Sequence, residues 1–211
     1  MYKILLLFLA VGYFYPWVGF FALICMIGPV VMAMKRGRYW CGHYCPRGNL
    51  YDAWISRFTR QKSIPPSLRS KGFRIFMILL IFAMFGVQMH EAWGDLAKMG
   101  AVFLRIILLT TIVGIVVGVV YRPRAWCSFC PMGTMAAWAA PKKNPYPKGF
   151  AHITVNASCV NCTLCAKACP LELHAYTARG NGVGFMDGDC LKCGRCIEKC
   201  PKQAIGFSNI K

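Results

Sequence analysis

Cys159-Val160-Asn161-Cys162-Thr163-Leu164-Cys165-Ala166-Lys167-Ala168-Cys169-Pro170 recurs 31 residues later as Cys190-Leu191-Lys192-Cys193-Gly194-Arg195-Cys196-Ile197-Glu198-Lys199-Cys200-Pro201. Each run has four cysteines separated by two, two and three residues and closed by proline, so eight thiols fall into two matched quartets. A secreted disulfide scaffold has an even number of cysteines at scattered spacings. A structural zinc site takes four ligands in two separated pairs. Two quartets that each end in Cys-Pro fit neither pattern. The stretch that holds them, 151–211, is about sixty residues and cannot bury a large core unaided. Whatever the thiols bind must supply much of its stability.

The quartets resemble the two-cluster ferredoxin signature of bacteria, in which the fourth cysteine of each run ligates the other cluster. Three cysteines at two-residue gaps wrap one face of a cubane, and the helix that follows carries the fourth thiolate across. One [4Fe-4S] cluster is therefore expected on Cys159, Cys162, Cys165 and Cys200, and the other on Cys190, Cys193, Cys196 and Cys169. Around them, residues 153–155, 173–177, 184–186 and 204–207 read as short strands and Arg179-Gly180-Asn181-Gly182 as a turn, which makes 151–211 an α+β domain.

Before this domain, Pro141, Pro145 and Pro147 alternate with Lys142, Lys143 and Lys148, so 141–150 reads as a stiff polar linker. Residues 1–140 have a different character. The whole chain of 211 residues is 57% apolar and only 15% charged, with a formal net charge of +18, where a soluble domain carries about 25% charged residues. Long uncharged runs lie at 4–34, 76–88 and 101–121, the last interrupted only by Arg105. At about 20 residues per span, 101–121 is a transmembrane helix and 76–88 becomes one if it extends to Trp93. As a single helix 4–34 would be roughly 46 Å long, and Pro16 and Pro29 should kink or break it. An all-α transmembrane region of about three helices follows. Lys3, the apolar run 4–9 and the small residues Ala10 and Gly12 have the outline of a secretory signal, expected here to be retained.

Charge sets the expected orientation. Ten Lys or Arg lie between residues 35 and 74, and Arg122 and Arg124 follow the last span, whereas 91–98 holds only Glu91, Asp95 and Lys98. Basic flanks stay in the cytoplasm, so every clustered cysteine is expected on the inner face of a multi-pass cytoplasmic membrane. The charge is then accounted for by anionic lipid, and no nucleic-acid partner is called for.

A second duplication lies at that face. Trp40-Cys41-Gly42-His43-Tyr44-Cys45-Pro46-Arg47-Gly48 follows the first span, and Trp126-Cys127-Ser128-Phe129-Cys130-Pro131-Met132-Gly133 the third, each with a later tryptophan, Trp54 and Trp138. The membrane region thus reads as two repeats related by an axis along the membrane normal. Cys41, Cys45, Cys127 and Cys130 supply four thiolates, the number one iron–sulfur cluster takes, and are the candidate ligands of a third cluster. Structural turns with reduced or zinc-binding thiols are the competing reading.

These motifs, their flanking helices and the terminal quartets together resemble the NapH-type membrane-bound polyferredoxins. Their Cys-Pro motifs are shared with the membrane region of NosR and with ferredoxin-like proteins of methylamine utilisation. The resemblance implies an electron-transfer subunit that relays electrons between a membrane donor, quinol being the candidate, and a partner redox protein. It also implies four membrane helices, against the three clear ones here. An iron–sulfur redox sensor or an assembly protein would use the same ligands, and a quinol-oxidising subunit would add a quinone pocket near residues 90–105. There His90, Glu91, Asp95 and Arg105 gather, although an arginine near a helix end also snorkels. No catalytic chemistry of its own is expected. Cys25 reads as a packing residue, and His43 as a surface residue or a donor to a cluster sulfur.

Overall fold

The computed structural model describes residues 2–140, 152–180, 184–185 and 187–208. The expected linker at 141–150, and the expected turn beyond residue 180, lie outside them.

The first apolar run folds as two helices. α1 (Tyr2–Phe14) stops before Pro16, a 3₁₀ turn covers Pro16–Phe21, and α2 (Ala22–Arg36) follows. The turn rests on the start of α7 (Leu96–Val120): a Cβ on Gly19 would lie 2.0 Å from the Gly100 carbonyl, and one on Gly100 would lie 2.1 Å from that of Pro16. Such backbone-to-backbone approach needs glycine on both sides. Gly12 meets Leu104 further along α7, and Leu5 lines the same cavity as Cys41. Thus α1 runs away from the cysteines and α2 returns to them. At thirteen residues α1 is about 20 Å long. Pro29, expected to kink or break the run, instead sits buried within an uninterrupted α2.

α6 (Lys71–Glu91) starts at Ser70, whose hydroxyl accepts from the Phe73 amide at 3.2 Å. α7 starts at Asp95, which accepts from Ala97 and Lys98 at 3.0 and 3.3 Å. Both are N-caps that satisfy otherwise orphaned donors. With Pro16–Arg36 they make three helices long and apolar enough to cross a bilayer.

The two repeats have one plan. After α2 comes the short α3 (Tyr39–His43), then Cys45 in extended conformation and α4 (Pro46–Ala53). After α7 comes a 3₁₀ turn at Ala125–Ser128, then Cys130 and α8 (Pro131–Ala139). Proline at N1 starts both closing helices, where its missing N–H costs nothing. Packing exchanges the partners, for α2 lies along α8 and α4 touches α7. A short α5 (Pro66–Arg69) leads into α6.

In the C-terminal part, β1 (Ile153–Val155) pairs antiparallel with β2 (Ile205–Phe207), in register Ile153 to Phe207, and Phe185 adds a bridge to Ile153. α9 (Leu164–Ala168) and α10 (Arg195–Glu198) each follow a cysteine loop. Residues 173–177, expected as a strand, are not one. A 3₁₀ turn spans Ala175–Ala178. The amides of Leu171 and Leu173 are turned to the Cys169 sulfur and that of Tyr176 to Cys165, so this segment curls around thiols and its donors are not free for a ladder.

Candidate functional site

All four membrane-side cysteines line one cavity of about 260 Å³, with Arg38, Arg47, Tyr51 and Trp126 also in its wall. Cys41 and Cys127 are buried, and Cys45 and Cys130 half-buried. Burial pushes the Cys127 thiol up to about 12 and raises Cys41 in the same direction, against the pull of Arg124 and Arg38 respectively. Such thiols are protonated at neutral pH unless a metal displaces the proton.

Two arginines cross between the repeats. Arg38, two residues before Trp40-Cys41, donates to the Cys127 carbonyl at 2.6 Å. Arg124, two residues before Trp126-Cys127, donates to the Cys41 carbonyl at 2.8 Å. Each backs onto a glycine of the other repeat's Cys-Pro motif: a Cβ on Gly133 would lie 2.5 Å from Arg38 Nη2, and one on Gly48 would lie 3.5 Å from Arg124 Cζ. Sequence reading counted these arginines only as basic loop charge, although Arg-x-Trp-Cys stands in both repeats.

The same arginines tie the membrane region to the C-terminal part. The chain has seven acidic residues, and three of them each hold two arginines. Asp189 takes Arg38 at 3.0 Å and Arg74 at 2.7 Å. Glu172 takes Arg69 and Arg122, and Asp52 takes Arg124 and Arg195. Each of these arginines thus has an anion beside it, although three carboxylates shared by six guanidiniums leave the interface net positive.

The quartets sit just beyond. Cys169, Cys190, Cys193 and Cys196 line one pocket together with Cys165, and Cys169 and Cys193 pack against the same buried group. Cys200 packs against a group of buried residues that holds thiols of both quartets, Cys159 and Cys165 with Cys190 and Cys196, and its sulfur accepts from the Ala204 amide at 3.3 Å. Cys169 therefore lies among the thiols of the second quartet. Burial raises Cys190 to about 11 and Cys196 to about 12. Cys162 is the one quartet thiol that is exposed.

The sites touch. Cys41 and Cys127 pack with Leu171 and Leu191, and Cys169 and Cys193 close the same group from the other side. Among the described residues no three His, Cys, Asp or Glu side chains gather as tightly as one metal ion requires; a cubane takes its ligands at four separate corners. The residues fit such a group: the cavity is roomy, all four thiol residues line it, and the buried Trp126 indole N–H in its wall has no hydrogen-bond partner among the described residues. Of the residues weighed from sequence, Cys25 is exposed yet reaches the cavity wall. His43 stacks on Tyr39 with ring centroids 3.9 Å apart, and both His90 and Arg105 are exposed.

Comparison with known proteins agrees with this layout. The family described as "4Fe-4S binding domain" matches residues 18–65 and 104–145, one block per repeat, and that described as "4Fe-4S dicluster domain" matches 158–205. The uncharacterized proteins MJ0750 and MJ0749 of Methanocaldococcus jannaschii are 23% and 25% identical, covering 85% and 88% of this chain and 75% and 70% of their own. The ferredoxin-type protein NapH of Haemophilus influenzae is 24% identical over 83% of this chain and 64% of its own. No solved structure matches. By its two 4Fe-4S matches, its three helices long and apolar enough to cross a membrane and its relative, the chain is an iron–sulfur electron-transfer protein similar to the NapH-type polyferredoxins.

Proposed function

We propose that the chain relays electrons between a donor in the membrane and a partner redox protein on the cytoplasmic side. The route begins at one iron–sulfur centre held jointly by Cys41, Cys45, Cys127 and Cys130. It continues through a [4Fe-4S] cluster on Cys169, Cys190, Cys193 and Cys196 and a second on Cys159, Cys162, Cys165 and Cys200. The observation that carries this reading is the contact of Cys41 and Cys127 with Leu171 and Leu191, which Cys169 and Cys193 complete. Cysteines assigned to neighbouring centres thus share one packed group with these two leucines. The exposed Cys162 marks the end nearest a soluble partner.

The donor's approach is proposed at an apolar cavity of about 70 Å³ lined by Ile81, Phe82, Phe85 and Phe103, which ends at Arg47 and Cys130. A quinone would meet there Arg47, Thr110 and the Trp126 indole N–H in an otherwise mostly apolar wall. This lies deeper than the exposed His90 and Arg105, where the sequence had suggested a pocket.

Iron counting tests the proposal. Two cubanes give about eight irons per chain and three about twelve. Cys45→Ala and Cys130→Ala should each remove the same spectroscopic signal and the same iron, and the double variant no more than either single one, since ligands of one site do not add. Unchanged iron in both single variants would leave the Cys-Pro motifs as structural turns.

A further inference from the structure

Arg47 breaks the symmetry of the repeats. Cys45-Pro46-Arg47-Gly48 and Cys130-Pro131-Met132-Gly133 correspond residue for residue, and Arg47 and Met132 both line the cavity of the four cysteines. A guanidinium enters that wall from one repeat where a thioether enters from the other.

Charge compensation separates Arg47 from its neighbours. Arg38 and Arg124 each hold a carboxylate, Asp189 and Asp52. Among the described residues no carboxylate pairs with Arg47. Its Nη1 donates to the Thr110 hydroxyl at 2.8 Å, and that hydroxyl donates in turn to the Ile106 carbonyl at 2.7 Å. Thr110 is neutral, so it fixes the direction of the guanidinium without neutralising it. Arg47 is half-buried, and Phe103 and Ile107 of the apolar cavity share a wall with it. A cation held against apolar side chains without an anion is costly. Four cysteines that ligate iron do so as thiolates, and the anionic group they form is the counter-charge this geometry lacks.

We propose that Arg47 is the fixed counter-cation of the membrane-side iron–sulfur centre, a positioning residue that makes this centre easier to reduce than its four thiolates alone would. The proposal rests on the assignment of Cys41, Cys45, Cys127 and Cys130 to one centre. Each electron taken up adds negative charge beside the guanidinium, so the reduced form gains more from Arg47 than the oxidised form does. Net charge and local hydrogen bonding are established levers on cluster potential. Met132 gives the opposite half of the site no such lever, and the charge acts on a centre whose ligands are otherwise duplicated.

The test is a potentiometric titration of the purified full chain in detergent, followed by electron paramagnetic resonance, for the wild type, Arg47→Met and Arg47→Lys. Arg47→Met, which copies Met132, should keep wild-type iron and lower the reduced-to-oxidised ratio of the membrane-side signal about tenfold at fixed potential, a shift of about 59 mV for one electron. Arg47→Lys should recover most of the shift, and the ferredoxin signals should stay in place in both. A membrane-side signal that is present but unmoved in Arg47→Met overturns the role of Arg47 and leaves the cluster assignment standing. Absence of that signal from the wild type overturns the assignment itself. If Arg47→Met assembles no membrane-side centre, Arg47→Lys decides: full iron with a near wild-type potential supports the charge, and loss of iron there too overturns it in favour of a purely steric role.

Discussion

The Leu191 carbonyl occupies the place where a side chain on Gly42 would begin: a Cβ built on Gly42 lies 2.2 Å from that oxygen. Gly42 follows Cys41 and Leu191 follows Cys190, so the two candidate sites meet through backbone at residues adjacent to their own ligands. Gly42→Val must push the C-terminal part away from the membrane region. Expected are unchanged iron and slower electron exchange between the membrane-side centre and the ferredoxin clusters, read by freeze-quench spectroscopy. Exchange at the wild-type rate would show that this contact is not the route.

Cross-ligation gives a selective loss. Cys169→Ser should damage the cluster assigned to Cys190, Cys193 and Cys196, and Cys200→Ser the one assigned to Cys159, Cys162 and Cys165. Resonance spectra of the two variants separate the clusters. The reverse pattern would rule the assignment out.

Asp189 should be costly to neutralise. It holds Arg38, which is 1% exposed, and Arg74. Asp189→Ala leaves a buried guanidinium without its anion, a loss of roughly 3–5 kcal/mol by analogy with other broken buried pairs. Thermal unfolding in detergent measures it. A Lys98→Ala control, whose partner Asp95 is exposed, should change little.

Iron-stripped protein should be sensitive to alkali. The thiols of Cys127, Cys190 and Cys196 rise from an ordinary 9.0 to about 12, 11 and 12, chiefly through burial. Below pH 9 folded and unfolded thiols are equally protonated and the contribution is complete. Above it the unfolded thiols ionise first, so stability falls as pH climbs towards 11–12. The melting temperature of chelator-treated protein should drop across this window, and Cys127→Ala should make the drop shallower. A flat profile would mean that these thiols are solvated.

Sidedness can be read with a membrane-impermeant thiol reagent in intact cells. Asp95→Cys should be labelled and Lys62→Cys should not, because the basic loop is held inside. Labelling at position 62 alone would invert the topology.

The spans and quartets were legible because apolar length and cysteine spacing are direct chemical requirements. Pro16 was read correctly as an interruption, whereas Pro29 does not end α2, which continues through it to Arg36 and packs along α8. Residues 173–177 misled because so short an apolar run does not declare its own period; Leu173 and Tyr176, three apart, both pack on the thiol core, which a helical turn allows and a strand, with its period of two, does not. The roles of Arg38, Arg47 and Arg124 could not be read from a charge count. They depend on which carbonyl, hydroxyl or carboxylate the fold brings to each guanidinium.

The crossed arginines also set a timetable for biosynthesis. Arg38 needs Cys127, 89 positions later, and Asp189, 151 positions later, while Arg124 reaches back 83 positions to Cys41. At about 5–20 residues per second, a ribosome delivers Asp189 on the order of ten seconds after Arg38. Until Cys127 and Cys130 are made, the first repeat offers iron only two thiols. Loading of the proposed membrane-side centre therefore waits for the second repeat, whichever half emerges first.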